Sequence, residues 1–325
     1  METALTVVIV PRDRFSSLAA CVDSILKYTP KPFNLVLLDL GFSAKDLEQV
    51  RQMCAGLPLE IETMGPTIPV VAFQRYLPKL KTKYTAWVDS DTYVTAGWME
   101  MLLARAAKGA RVIMPLTLER SGLDVDARKI PLRNHISHSE IRKVTVGGKE
   151  YIFDHKPYRR ATPEEIPQEG HTIDFFELHA FFAETEVLRM LDYPPMVVRE
   201  HIDMGIQLHK LGIPIWCEPK SVVHFDNIHE RPTREDLKFF VYRWQAPFVN
   251  QSHELFRQRW GCTFYNEQFM CNWAFRRKIY SYCRFFGLPQ YPSDFASRVA
   301  NRFFCPPLPK ELRHDPLKES QRMLA

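Results

Sequence analysis

Two periods alternate along the first hundred residues. Leu5 to Val10 is a continuous apolar run of strand length, and Pro11-Arg12-Asp13 reads as the turn after it. Phe15, Leu18, Ala19, Val22, Ile25 and Leu26 then recur at helical spacing, up to Pro30. Phe33 to Asp39 is a second buried-strand pattern closing on an acid, and helix-like sequence follows from Ala44 to Cys54. Beyond Gly65-Pro66, a helical stretch from Val70 to Lys81 leads into a third apolar run, Tyr84 to Asp89. Trp98, Met101 and Leu102 give the next helix its apolar face, and Val112-Ile113-Met114 is a further strand. Apolar strands alternating with amphipathic helices predict an α/β fold: a mainly parallel sheet with helices on both faces. Ligands of such sheets bind beyond the carboxyl ends of the strands, where Asp39, Asp89 and Asp91 stand. No Gly-rich phosphate loop follows the first strand, which argues against a dinucleotide-binding domain.

From Leu116 to His171 the pattern dissolves into mixed charges and turns. We expect an insertion with little regular structure beyond a hairpin from Lys143 to Phe153, acting either as a solvated loop or as an active-site flap. Regularity returns with an apolar strand from Ile173 to Phe182, a short helix from Thr185 to Leu191, and a helix from Arg199 to Leu211. Ile213 to Cys217 and Ser221 to Phe225 read as two short strands. Aromatic-rich helices follow over Leu237 to Trp244, Pro247 to Trp260 and Glu267 to Phe286. The tail from Pro306 is Pro-rich, then polar, and is expected to be poorly ordered.

The 325 residues are 46% hydrophobic and 25% charged, enough for a sizeable core in one large domain or two smaller ones. A formal net charge of +5 suits anionic substrates or a membrane surface and falls far short of a nucleic-acid footprint. Seven scattered cysteines without a C-x-x-C pair suggest neither a zinc knuckle nor a disulfide framework, and point to a reducing, cytoplasmic setting. No apolar run approaches spanning length, so membrane contact would be peripheral.

Three stretches carry candidate chemistry. Asp89 and Asp91 repel each other unless water or a cation neutralises them, and hard oxygens one residue apart suit a divalent ion; either acid would also serve as a helix cap. Glu200 and Asp203 share a helix face with Gln207, either as functional acids or as stabilisers of the helix N-terminus. His179 lies inside an apolar strand and His224 at a strand end, each a ligand or a hydrogen-bonded structural histidine.

In this order the motifs resemble family 2 glycosyltransferases of the GT-A fold. The resemblance rests on Asp39, Trp87-Val88-Asp89-Ser90-Asp91 with Gly97-Trp98, Arg199-Glu200-His201-Ile202-Asp203-Met204, Pro219 to His224, and Leu255 to Gly261. It implies inverting transfer of a sugar from a nucleoside-diphosphate sugar, UDP- or GDP-linked, to the hydroxyl of a saccharide or lipid-linked acceptor, with Mn2+ or Mg2+ as cofactor. Residues 1–115 would then be the donor-binding half, 116–172 an insertion or flap, 173–232 the acceptor and catalytic half, 233–305 a helical extension and 306–325 a tail. The implied metal ligands are Asp91 and His224 with Asp89. Donor contacts would come from Pro11, Arg12, Asp39, Gln74, Arg75, Asp89 and Ser90, and acceptor contacts from Glu177 and His179. Family members commonly carry Glu-Asp where this chain has Glu200-His201, so the base falls among Asp203, Glu200 and His201, the first two preferred. A nucleotidyltransferase, or a binding protein that has lost its base, are the alternatives. The basic, aromatic helix from Trp273 to Phe286 suggests a membrane-surface contact.

Overall fold

A computed structural model describes residues 4–120, 130–146, 148–226 and 231–308. Strands β1 (Leu5–Val10), β2 (Asn34–Asp39), β3 (Leu59–Thr63) and β4 (Tyr84–Asp89) lie parallel in the order β4-β1-β2-β3. Helices α1 (Leu18–Tyr28), α2 (Ala44–Met53) and α3 (Pro69–Tyr76) make the crossovers. Each follows from its pattern: α1 buries Leu18, Cys21, Val22 and Ile25 on one stripe. Helix α3 ends earlier than the periodicity suggests, passing into a single tight turn over Leu77–Lys79. Pro78 removes a backbone donor there.

The chain continues through β5 (Thr92–Val94), α4 (Trp98–Ala106) and β6 (Val112–Arg120). The segment expected to be mostly irregular holds β7 (Arg133–Ile136), a hairpin of β8 (Glu140–Val146) and β9 (Lys149–His155), and the edge strand β10 (His171–Ile173). Its part from 121 to 129 lies outside the described residues. Then come β11 (Ala180–Glu184), α5 (Thr185–Arg189), α6 (Glu200–Lys210) and β12 (Ile215–Asp226). The sheet order is β10-β12-β6-β11-β4-β1-β2-β3, so parallel pairing holds from β4 to β3 and the second half is mixed. Strand β11 runs antiparallel to both β4 and β6. Ala180 pairs with Val88, so the chain starts β11 at the carboxyl end of β4 and can only run back along it. The two strands expected at 213–217 and 221–225 are one strand, β12, interrupted by a bulge between Glu218 and Val222 that accommodates Pro219.

The apolar run from Ile173 to Phe182 does not form one strand; residues 174–179 leave the sheet between β10 and β11. Side chains compensate for the lost ladder. The Phe175 amide donates to Ser139 Oγ at 3.2 Å, and the Ile141 amide donates to Asp174 Oδ2 at 2.8 Å. Helix α6 packs directly on this break at Gly205, where an added Cβ would stand 2.6 Å from the Asp174 carbonyl oxygen and 2.9 Å from Phe175 Cβ. Only glycine allows that approach.

Four C-terminal helices complete the molecule: α7 (Arg234–Arg243), α8 (Ala246–Trp260), α9 (Glu267–Phe285) and α10 (Gln290–Phe304). Asp236 ties them to the loop after β1. Its Oδ1 accepts from the Phe15 and Ser16 amides at 2.6 and 3.0 Å, while Oδ2 accepts from the Thr233 amide in a capping box. Phe239 packs on Phe15 with ring centroids 4.8 Å apart.

In an open helix Gly→Ala would add up to about 1 kcal/mol. Here Gly205→Ala should instead cost about 1–3 kcal/mol in urea unfolding, because α6 must move off the break.

Candidate active site

Strand β4 delivers its two acids to a site that water barely reaches. Asp89 is 1% exposed and Asp91 2%. Trp87, two residues back and on the same face of the strand, donates its indole N–H to Asp89 Oδ1 at 2.9 Å. Arg12, in the loop after β1, brings its guanidinium to 3.3 Å from Asp89 Oδ2 and 3.9 Å from Glu200 Oε1. Ser90 fastens that loop by donating to the Arg14 carbonyl oxygen at 3.1 Å. Burial pushes the Asp89 carboxyl up to about 6 even with Arg12 opposing it. Asp91 rises well above the carboxylate range, through burial first and the neighbouring Asp89 second. Burial works against the charge of Arg12, but Asp89 and Glu200 outweigh it and hold its pKa above the ordinary arginine value.

The break before β11 supplies the opposite wall. His179 Nδ1 is 3.3 Å from Asp89 Oδ2, and its ring stacks on Phe225 at 3.8 Å between centroids. Burial, with Arg12 and His135 adding to it, holds His179 well below the usual histidine range, so the imidazole is neutral. Asp89, Asp91 and His179 bring one ligand atom each within 4.8 Å of one another. Asp89 Oδ2, Asp91 Oδ1 and His179 Nδ1 are all buried without a hydrogen-bond partner. Three such atoms facing one point are what a cation site needs, since an unpaired buried polar group is costly.

Beyond them lies an open cavity of about 430 Å³, lined among others by Arg12, Glu119, His135, Lys156, Glu177 and His201. His135 bridges two carboxylates, with Nδ1 3.0 Å from Glu119 and Nε2 3.6 Å from Glu177. Lys156 forms an ion pair with Glu177. Burial would raise Glu177, but His201 when protonated, together with Lys156, outweighs it and holds the group well below its usual range. Arg160 and Arg199 are the two non-glycine residues with positive φ among the described residues, and both line this cavity.

Helix α6 begins at this cavity. Arg199, at φ 68° before its first turn, is paired with Asp154 at 3.2 Å and lies over the Phe264 ring. Glu200 faces inward between Arg12 and Arg243. His201 lines the cavity with Nε2 3.8 Å from Glu177, and its Nδ1 has no hydrogen-bond partner. Burial lowers its pKa, against the pull of Glu177 and Glu200.

Asp203 does not join this group. Its Oδ1 accepts from Arg259 Nε at 2.8 Å and Trp260 Nε1 at 2.7 Å, and its Oδ2 accepts from Gln207 at 2.6 Å. Three residues along a helix turn the side chain by most of a full circle but not all of it, and here that difference separates cavity from interhelix contact. Asp203, one of the candidate bases, thus has both oxygens engaged by Arg259, Trp260 and Gln207 and clamps the end of α8.

Other expected positions also resolve. Among the described residues His224 does not join the cluster of Asp89, Asp91 and His179; it pairs in register with Tyr93, while its neighbour Phe225 presents the cavity face of β12. Beside Asp89 and Asp91 the third ligand-type side chain is His179, which enters from the segment before β11. Asp39 uses its carboxylate within the fold, accepting from the Gly41 and Phe42 amides, both at 2.9 Å, and from Thr63. Gln74 and Arg75 are exposed, and Gln74 lines a separate hollow with Arg189 and Tyr193. Pro11 is buried in the loop that carries Arg12. Glu119, His135, Lys156 and Arg243 carry no spacing signal of their own; the sheet and α7 bring them in from distant parts of the chain.

Residues 6–165 match the model for glycosyl transferase family 2. This segment belongs to that family. Among solved structures, GalNAc-T7 with UDP, GalNAc and Mn2+ is similar over 88% of this chain at 16% identity, with a TM-score of 0.51. The match covers 58% of that structure, so this chain spans little over half of its length. S. aureus TarS in complex with UDP-GlcNAc aligns over 93% of this chain and 92% of its own, at 11% identity and a TM-score of 0.48. No curated protein matches the sequence. The family 2 segment and the GalNAc-T7 likeness together identify a GT-A fold, with the C-terminal helices added to it.

Asp203→Asn should lower stability by about 2–3 kcal/mol in urea unfolding, since it weakens a buried acceptor of charged and indole donors.

Proposed function

We propose that this chain is a divalent-cation-dependent glycosyltransferase that moves a sugar, with inversion, from a nucleoside-diphosphate sugar to an acceptor hydroxyl. The observation that carries the reading is the convergence of buried ligand atoms of Asp89, Asp91 and His179 within 4.8 Å of one another, with His179 also lining the cavity that holds His201. Family membership of residues 6–165 supplies the donor class, and the UDP bound to GalNAc-T7 makes uridine the first base to test.

Asp89, Asp91 and His179 would hold the ion, which when bound supplies positive charge for the diphosphate leaving group. Arg12 adds a fixed positive charge on the same side, beside Asp89. His201 is the base. It has a neutral imidazole, a place on the cavity wall, and Glu177 at 3.8 Å to stabilise the imidazolium that forms when it takes the acceptor proton. This deprotonation leaves the acceptor oxygen as the nucleophile at the anomeric carbon, and a single displacement inverts that centre. Glu200 positions Arg12 and Arg243 instead of taking the proton, its Oε1 lying 3.9 Å and 3.6 Å from them. A histidine in the base position removes the motive for a binding protein without catalysis.

A thermal-shift panel tests the site directly: Mn2+ with UDP should stabilise the wild type, Asp91→Asn should abolish that shift, and His179→Ala should weaken it. His224→Ala should leave it unchanged; the reverse pattern would return the third ligand to β12. Turnover should fall about a hundred- to ten-thousand-fold in His201→Ala, and change far less in Asp203→Asn. A base must be deprotonated, and burial lowers the folded pKa of His201. Activity should therefore be flat above the ordinary histidine value of about 6.5 and fall only at lower pH. A limb centred above that value would exclude His201 as the base.

A further inference from the structure

Helix α10 is folded with its polarity reversed. The side packed on α9 is polar: Gln290, Ser293 and Ser297 are buried, and Asp294 is paired with Arg276 at 2.8 Å. Serine hydroxyls on this side return to the helix backbone, Ser297 to the Asp294 carbonyl oxygen at 2.7 Å and Ser293 to that of Pro289 at 2.8 Å. The side facing outward is apolar. Tyr291, Phe295 and Phe303 are 60%, 70% and 76% exposed, with Val299 between them on the same stripe. Phe304, and Phe286 just past the end of α9, are exposed as well. A helix that turns its serines inward and its phenylalanines outward gains nothing from that arrangement in water.

Charge selects among the surfaces that would cover it. Arg298 and Arg302 flank the apolar stripe and are exposed. The one carboxylate of α10, Asp294, is turned inward between Arg276 and Arg298, 2.7 Å from the latter. An aromatic stripe bordered by arginines and clear of acids is complementary to the interface of an anionic bilayer, where rings enter the acyl boundary and guanidinium groups meet phosphates. Among the described residues no helix is long and apolar enough to cross a membrane. We propose that α10 seats the protein flat on an anionic lipid surface, through Tyr291, Phe295, Val299 and Phe303 with Arg298 and Arg302 at the headgroups.

The membrane face expected on α9 is thereby moved to α10. Helix α9 is partly covered along its length, with Trp273 packed edge-on against Trp244 at 4.8 Å. The new position also bears on the acceptor. A hollow of about 390 Å³ lined by Arg302, Asn301 and Pro306 shares Phe269 and Trp273 with the catalytic cavity. A lipid-linked acceptor held at this face would therefore lie one helix away from His201.

Vesicle co-sedimentation of the full chain, without donor or metal, tests the proposal independently of the transferase reading. The wild type should pellet with phosphatidylglycerol-containing vesicles at low salt and far less with pure phosphatidylcholine. The double substitution Phe295→Glu with Phe303→Glu should weaken binding at least about tenfold. Arg298→Gln with Arg302→Gln should weaken it about fivefold per charge and flatten its salt dependence. Both pairs are exposed, so unchanged thermal unfolding serves as the folding control, and the arginine pair stands alone if the glutamates disturb the fold. Absence of pelleting at low salt overturns the proposal. So does a concentration-dependent dimer that the phenylalanine substitutions dissolve without any vesicle binding, which would make the face a contact with a second copy.

Discussion

Carboxylates taken out of water need cations, and this requirement organises the molecule around the end of β4. Asp89 and Asp91 sit side by side with almost no solvent, and burial alone would neutralise them. Arg12 supplies one positive charge, and it reaches the acids because Ser90 holds its loop and Asp236 holds the residues after it. Arg12 is shared with Glu200, and Glu200 with Arg243, whose other partner is Asp13 at 2.6 Å. A chain of alternating charges thus runs from the sheet through the start of α6 to α7. Removing any member would leave its neighbour buried and unpaired, the costly case for such networks.

This network joins the C-terminal helices to the catalytic sheet more firmly than an appended domain would require. Asp236 caps α7 and also accepts from the loop after β1, so the helix cannot leave without freeing the buried Phe15 amide and that of Ser16. Asp203 does the same at the other end, clamping Arg259 and Trp260 of α8 against α6. The acids that look most catalytic on a helical wheel therefore divide their work: Glu200 shapes the charge of the site, Asp203 shapes the fold, and His201 between them faces the cavity. Glu177, held charged 3.8 Å from His201, is the neighbour that the proposed base role of His201 calls for.

The local break at residues 174–179 has the largest consequence for the site. A strand continued from Ile173 to Phe182 would have kept Glu177 and His179, two residues apart, on one face of the sheet instead of in the loop that reaches the cavity. Leaving the sheet, the segment places both in one cavity, with Glu177 against Lys156 and His179 against Asp89. The break is stable because Ser139 bonds its backbone at Asp174 and Phe175, because Asp174 ties it to the Ile141 amide, and because Gly205 lets α6 lie close upon it.

The sequence by itself determined the alternation of strands and helices, the parallel order of the first half, and the placement of Asp89 and Asp91 at a strand end. Those features rest on periodicity and on local turn chemistry, which neighbouring residues dictate. It also marked the acidic start of α6 and the Arg-Trp-Gly end of α8. Only the tertiary structure brought His179 to Asp89 and Asp91, because the segment that carries it leaves the sheet at the carboxyl end of β4. The same holds for His135 and Lys156, which reach the cavity from a segment whose pattern carried no period, through β7 pairing on β6 and the β8–β9 hairpin. And the face of α10 became legible only once the fold showed which side was inward: amphipathic spacing gives two faces, and packing alone tells which of them is turned to water.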